Sequence, residues 1–367
     1  MHSTAIDRRA FLALLGAAAL KPGMAFAAPG EPLFVGARAA AGRYEVAVID
    51  ERGHDRLVLP VEERGHSFAL DLPRRRAVAF ARSPGRHAVA FDMDGKAEPQ
   101  AIVAAEGRHF FGHGIFTPDG KLMLATESDY EGERGVTGLY DATNGFARLG
   151  EIPSEGIGPH EIVLMPDGRT ACVANGGILT HPDYERIKLN IDTMEPNIAY
   201  FDIAKGELVE KVSLAPELHK LSIRHMVVDG AGAVWFGCQY EGDPADRPPL
   251  VGRHVRGREP ELFPGPAELL RALDNYIGSV AVDASGTIVA TSSPQGGLIA
   301  FWDTESGRYL GQRPIPDGCG IAPLERGHVL ATSGRGAISD MTPEAEQEIV
   351  PAGRNVPAWD NHLRRFG

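Results

Sequence analysis

Five histidines, His66, His113, His160, His225 and His362, each stand near the start of an apolar stretch. Three of them are followed, fourteen or fifteen residues later, by Glu127, Asn175 and Gln239. Neutral imidazole binds iron, copper, zinc or nickel, and a carboxylate oxygen completes a mixed site. Brought together, the five imidazoles and Glu127 would hold a transition metal, with iron or copper the expected ion. Glu161 beside His160, Asn175, Gln239, and His181 with Asp183 are further candidate contacts for a ligand. A competing reading is structural: a duplicated Gly-His can persist because each ring bonds a backbone carbonyl of the next repeat. The spacing alone has none of the specificity of a zinc finger or a His-Glu-x-x-His helix.

The elements that must position these side chains form a repeat. Gly112-His113-Gly-Ile-Phe-Thr-Pro-Asp119-Gly120 returns as Gly158-Pro-His160-Glu161-Ile-Val-Leu-Met-Pro-Asp167-Gly168, as Arg224-His225-Met-Val-Val-Asp-Gly-Ala-Gly232 and as Gly278-Ser279-Val-Ala-Val-Asp-Ala-Ser-Gly286. Fainter copies begin at Gly65 and Gly318, and Trp359 to Phe366 reads as a truncated seventh. Each copy is an apolar strand, a Pro-Asp-Gly or Asp-x-x-Gly turn that supplies positive φ, and a second strand. The anchors 66, 113, 160, 225, 279, 320 and 362 are 47, 47, 65, 54, 41 and 42 residues apart. Short strands at that period are the signature of propeller blades of the WD40 or YVTN type.

An all-β, seven-bladed β-propeller follows. Leu33–Arg38, Tyr44–Asp50 and Arg56–Pro60 lack an inner strand, and the C-terminal copy lacks outer ones, so the two chain ends are expected to pair in one blade. The uneven periods predict three insertions: 176–196 and 242–249, each between second and third strands, and a short helix at 266–274. The first strand of each blade lines the central channel, so the five histidines are expected to ring one mouth, under the 176–196 loop. Ser279 and Gly320 replace histidine in two blades and exclude a symmetric seven-fold site. His54, His87, His109, His219, His254 and His328 fall at turns or strand edges and are expected at the surface.

Residues 1–27 read as a twin-arginine signal peptide: Asp7-Arg8-Arg9-Ala10-Phe11-Leu12, an apolar run too short to span a bilayer, and Ala25-Phe26-Ala27 as a cleavage site. Residues 28–367 would then be one periplasmic propeller domain. Its loss of three cations and one acid moves the formal charge from −12 to −14, which disfavours nucleic acid and anionic lipid as partners. No stable membrane insertion is expected, and the chain is expected to be a monomer. Cys172, Cys238 and Cys319 lie within the repeats, odd in number and with no C-x-x-C, so neither a disulfide framework nor a c-type haem is expected and buried strand thiols are the reading. Absent Gly-x-Ser-x-Gly, Walker and dinucleotide motifs leave no nucleotide cofactor to expect. Arg82, Arg186, Lys188 and Arg335 would suit an anion, although scattered cations ordinarily only solvate.

Several stretches carry a family resemblance: Phe110–Gly120, Ser128–Glu131 with Arg134-Gly135, Gly156–Glu161, Ala174–Ile178, Thr180–Asp183, Lys188–Asn190 and Asp192–Met194. In these the chain resembles the DUF1513 family of exported bacterial seven-bladed propellers, akin in architecture to YncE-like and quinoprotein-amine-dehydrogenase-like propellers. The resemblance implies fold and export but no established activity. Members are encoded beside imelysin-like and dihaem-peroxidase-like proteins, which implies partners in periplasmic iron handling by association only. Three functions fit: a metal-binding propeller; a metal-assisted, lactonase-like hydrolase in which Glu127 or Glu161 handles protons; and a protein-docking scaffold.

Overall fold

The computed structural model describes residues 31–184 and 187–367. The signal-peptide segment, residues 1–27, lies outside the described residues. The remainder is seven four-stranded antiparallel sheets, each a simple meander from the inside outward. Their innermost strands are Gly65–Asp71, Arg108–Phe116, Pro159–Leu164, Leu221–Val228, Ser279–Val282, Gly318–Pro323 and Ala358–Phe366, here the first strands of blades one to seven. Each lies against the next around the ring, and the seventh lies against the first.

The strands carry near-continuous apolar runs because each sheet is covered on both faces by its neighbours. Buried clusters fill every junction. Val35, Val46 and Val48 of blade seven meet Phe68 and Phe91 of blade one, and Phe80 meets Phe110 and Met123 between blades one and two. Leu124 meets Ile162 and Val173, and one larger cluster around Trp235, Phe236 and Trp302 joins blades three, four and five. The outer strands turn polar where a sheet meets water, as in the exposed strand Glu207–Ser213.

Ring closure follows the chain ends. The seventh blade has the order Ala358–Phe366, Leu33–Ala40, Arg43–Asp50, Asp55–Val61, so the last strand of the chain is its innermost and pairs antiparallel with the first. Trp359 and Leu363 fill the junction with blade six beside Phe34, Ile49, Leu330 and Ile338. The insertions fall as the spacing predicts: residues 176–196 between the strands Thr170–Asn175 and Asn197–Asp202, residues 242–249 between Val234–Tyr240 and Val251–His254, and a helix Ala267–Ala272 between blades four and five. All three cysteines are free and buried. Two of the six histidines expected at the surface are instead buried. His254 sits between the Tyr200 hydroxyl at 2.6 Å and the Arg258 carbonyl at 2.9 Å, and His109 stacks against Tyr130 with ring centroids 6.1 Å apart. Among the described residues no helix is long and apolar enough to cross a membrane.

The closing seam yields a stability prediction. Leu363 is 1% exposed and packs against Gly36 and Gly320, so Leu363→Ala is expected to cost about 2–5 kcal/mol. Equilibrium urea unfolding measures it, and a cost below about 1 kcal/mol would show that the seam is not closely packed.

Candidate functional site

Regular strands send alternate side chains to opposite faces, which alone would not crowd polar groups into a narrow channel. Six of the seven innermost strands are not regular, Ser279–Val282 of blade five being the exception. Their pairing with the second strand slips between Gly65 and Phe68, Phe110 and Gly114, Pro159 and Glu161, Ile223 and His225, and Gly318 and Ile321. In blade seven the slip lies opposite Gly36–Arg38, at residues 360–362. All five histidines lie in or at the edge of one of these bulges. A bulge adds an unpaired residue and re-aims its side chain, and such features concentrate beside functional sites. In blade three it brings both His160 and the adjacent Glu161 into the site.

The five imidazoles meet in one cluster, carried by the contiguous arc of blades seven, one, two, three and four. Neighbouring ring centroids are 4.6 Å apart for His66 and His362, 5.0 Å for His66 and His113, 5.0 Å for His113 and His160, and 4.7 Å for His160 and His225. His113 touches all four other rings, adding His362 at 4.7 Å and His225 at 6.0 Å. Gly112 makes this approach possible: its φ is +103°, and a Cβ there would stand 2.6 Å from His66 Cδ2. Gly320 explains the vacancy in blade six. A Cβ at that position would lie 2.6 Å from the Leu363 backbone nitrogen, so the terminal strand occupies the space a side chain would need.

Two carboxylates support the cluster. Glu161 lies with Oε1 3.2 Å from His113 Nδ1 and Oε2 3.5 Å from His225 Nδ1, accepts the Met226 N–H at 3.2 Å, and pairs with Arg364 across the channel. Asp360 approaches His66 Nδ1 at 3.5 Å and pairs with Arg64. Burial alone would raise the Glu161 carboxyl, but Arg364 and then His113 hold it well below the ordinary carboxylate range. Burial pushes every imidazole the other way, His66 to about 3 and His225 to about 4, with the Arg224 guanidinium adding to the effect on His160 and the surrounding imidazoles to that on His362. The rings are therefore neutral at neutral pH, each with a lone pair.

Seven ring nitrogens of the cluster are buried with no hydrogen-bond partner: Nδ1 of His66, His113, His160 and His225, and Nε2 of His113, His225 and His362. Three of them, Nδ1 of His113 and His225 beside Glu161 and Nδ1 of His66 beside Asp360, stand 3.2–3.5 Å from a carboxylate oxygen. The purely structural role, in which each ring bonds a neighbouring carbonyl, is thus not the arrangement seen at those atoms. Each orphaned nitrogen costs about 1–3 kcal/mol of lost hydration. The donor atoms suit a metal: His66, His113 and His160 offer nitrogens all within 4.8 Å of one another, as do His113, His225 and His362. Three nitrogens each about 2.1 Å from one ion and evenly spread around it are about 3.6 Å apart, so rings as far apart as that limit would each move inward by about 0.7 Å to close either triad.

The other candidates lie outside the imidazole cluster, and of them Gln239 alone lines the cleft above it. Glu127 is buried but turned out along its blade, where it accepts hydrogen bonds from the Tyr140 hydroxyl and from Arg148 at 2.8 Å. Asn175 donates to the Ser154 carbonyl at 2.6 Å and to Asn197 at 2.9 Å. Gln239 lines the cleft over the imidazoles and donates to the Ile277 carbonyl at 3.2 Å. His181 packs on Tyr130 in the inserted loop, and Asp183 beside it is exposed. Sequence reasoning missed Asp360, Arg364 and Arg224. The first two share the period-two face of His362 on the last strand, which is the signal that would have found them.

A cleft of about 240 Å³ opens over His66, His160 and His225, roofed in part by Ile178, Thr180 and Lys188 of the inserted loop. A larger one, about 610 Å³, adjoins it on the side of blades five and six, where no imidazole fills the channel mouth.

The family model described as "Protein of unknown function (DUF1513)" matches residues 59–366, and the chain belongs to that family. No curated protein matches. Among solved structures the chain is similar to Kuenenia stuttgartiensis Hydrazine Synthase, at 13% identity and TM-score 0.65 over 83% of this chain and 90% of that one. It is likewise similar to the Myceliophteria thermophila Cps50 (Swd1) beta-propeller domain, at 13% identity and TM-score 0.60 over 83% and 92%. At that identity the likeness is one of fold.

Two measurements test the site's construction. Gly112→Ala forces a side chain into left-handed backbone and into the His66 ring, so a loss of about 1–3 kcal/mol is expected together with displaced His66 and His113 imidazole signals in NMR. Unchanged signals would show the cluster does not depend on that approach. Glu151, which holds Arg148 beside Glu127 at 2.7 Å, is pulled down to about 2, chiefly by Arg108 against an opposing effect of burial. Its stabilising contribution is present above the ordinary glutamate value near ~4.3 and lost as pH falls toward 2. The stability gap between the natural protein and Glu151→Gln should accordingly be widest at pH 5 and above and close by pH 2, and a gap that does not change over that range would contradict the pairing.

Proposed function

We propose that this DUF1513 propeller binds one transition-metal ion, iron or copper, among its five channel histidines, and works in periplasmic metal handling. The observation that carries the reading is the cluster of buried, neutral imidazoles with seven unpartnered nitrogens, centred on His113. His113, with His66 and His160 on one side or His225 and His362 on the other, would hold the ion, and Glu161 would balance part of its charge. Such an ion supplies Lewis acidity or one-electron chemistry when bound. The chain's own part is to keep the imidazoles neutral by burial, orient them through the bulges and hold the Glu161 carboxylate ionised against Arg364.

Export is part of the proposal and rests on Arg8-Arg9 and the apolar run after them. Partners of the imelysin-like and dihaem-peroxidase-like kinds come from the family resemblance alone. A metal-assisted, lactonase-like hydrolase is a second reading. It draws support from the cleft that opens directly over His66, His160 and His225, since a hydrolytic ion needs an accessible position beside substrate space. Of the two carboxylates suggested for proton handling, only Glu161 lies against the imidazoles.

Metal content decides the reading. Plasma mass spectrometry of protein exported in a bacterial host is expected to find near-stoichiometric iron or copper, at least about tenfold less in His113→Ala, and an undiminished amount in Glu127→Gln. A metal-free natural protein that also takes up no iron, copper or zinc on titration would sink it. Turnover of simple lactones by the loaded protein, absent in His113→Ala, would add the hydrolytic reading.

A further inference from the structure

The cleft above the imidazoles has an electrostatic character that the cluster beneath it does not explain. It is lined by Arg82, Lys188 and Arg224, and by no aspartate or glutamate among the described residues, in a chain whose formal charge is −12. Lys188 pairs at its rim with Glu241, and Arg82 stands 3.7 Å from Asp360. Arg224 differs from both. It makes no hydrogen bond or ion pair to any described residue, and its Nε is buried without a partner. The Thr180 hydroxyl, across the same cleft on the inserted loop, is buried and unpartnered as well. Burial lowers the Arg224 pKa, with Glu241 and Tyr276 only partly opposing it.

A guanidinium with a sealed, unpaired N–H, a hydroxyl facing the same space and an ammonium at the rim are the groups that recognise an oxyanion. Arginine presents a planar fork that matches carboxylate and phosphate, and its charged hydrogen bonds are about twice as strong as neutral ones. A metal-ion reading of the imidazoles accounts for none of these groups, because cations do not ligate metals and repel them. We infer that the cleft is a binding site for a small oxyanion, a carboxylate- or phosphate-bearing molecule, seated on Arg224 and Thr180 with Lys188 closing over it. The site stands with or without an ion on the histidines. Its volume of about 240 Å³ suits a phosphate or a small di- or tricarboxylate rather than a polymer. Ile178, Thr180 and Lys188 of the inserted loop gain a function as the cover of this site.

Calorimetric titration of residues 28–367, stripped with chelator and held at constant ionic strength with sodium chloride, tests the inference using inorganic phosphate and citrate as probes. At least one should bind with saturation, and Arg224→Gln should raise its Kd roughly tenfold or more. Lys188→Ala should weaken binding less, and Arg335→Gln, at an exposed arginine outside the cleft, should leave it unchanged. Tighter citrate marks a carboxylate ligand and tighter phosphate a phosphorylated one, and either supports the site. Absence of saturable binding by both probes, or equal affinity in the natural protein and Arg224→Gln, overturns it. Should Arg224→Gln fail to fold, Thr180→Val and Lys188→Ala take its place: weakened binding in both supports the site, and unchanged binding in both refutes it. Because the protein is metal-free throughout, failure here leaves the metal measurement untouched, and a metal-free natural protein leaves this one standing.

Discussion

The pairing of Leu33–Ala40 with Ala358–Phe366 is the interaction on which the rest of the molecule depends. A ring of sheets has no free inner edge only when its last blade is complete, and this one is assembled from both ends of the chain. The same strand that closes the ring supplies Asp360, His362 and Arg364, three alternate residues on one face, to the channel. Through Arg364 it reaches across to Glu161 of blade three. Closure therefore completes the site: the fifth imidazole, Asp360 and the Arg364 that pairs with Glu161 arrive only when the ends meet.

Against that scaffold the channel mouth is costly. Five neutral rings, seven unpartnered nitrogens, a buried carboxylate and an unpaired arginine are held where apolar packing would be cheaper. The junctions between blades are filled by apolar clusters such as those around Trp235 and Phe80, whose burial acts against that cost. Sites where local rules are broken while the surrounding fold obeys them are where function concentrates. The two broken rules adjoin, since the cleft that holds the cations opens over His66, His160 and His225. A metal and an anion would draw on different groups there, imidazole nitrogens for the one and Arg224, Thr180 and Lys188 for the other.

Much of the architecture was legible beforehand. The Pro-Asp-Gly and Asp-x-x-Gly turns, the period of the apolar strands and the missing strands at the two ends were enough for seven blades and their closure, because turn chemistry and hydrophobic period are local properties. The five histidines were legible for the same reason, as equivalent positions in a repeat. Glu127 was not. Counting along the second strand brings it to the right end of the blade, yet its side chain turns outward to Tyr140 and Arg148, partners that lie on the next two strands. His160 was expected in the ring with Glu161 beside it as a further contact, and the bulge in blade three admits both to the site.

What the sequence determined by itself was thus the repeat: fold, blade number, closure and the five histidines of the channel. The tertiary structure decided which of those side chains meet. Whether a strand bulges depends on the strands beside it, and whether a carboxylate serves a histidine or an arginine depends on groups more than a hundred residues away, as Glu161 and Arg364 are. Periodicity has no term for such distances. Only closing the ring brings blades seven and three within reach of each other, and with them the charges that define the site.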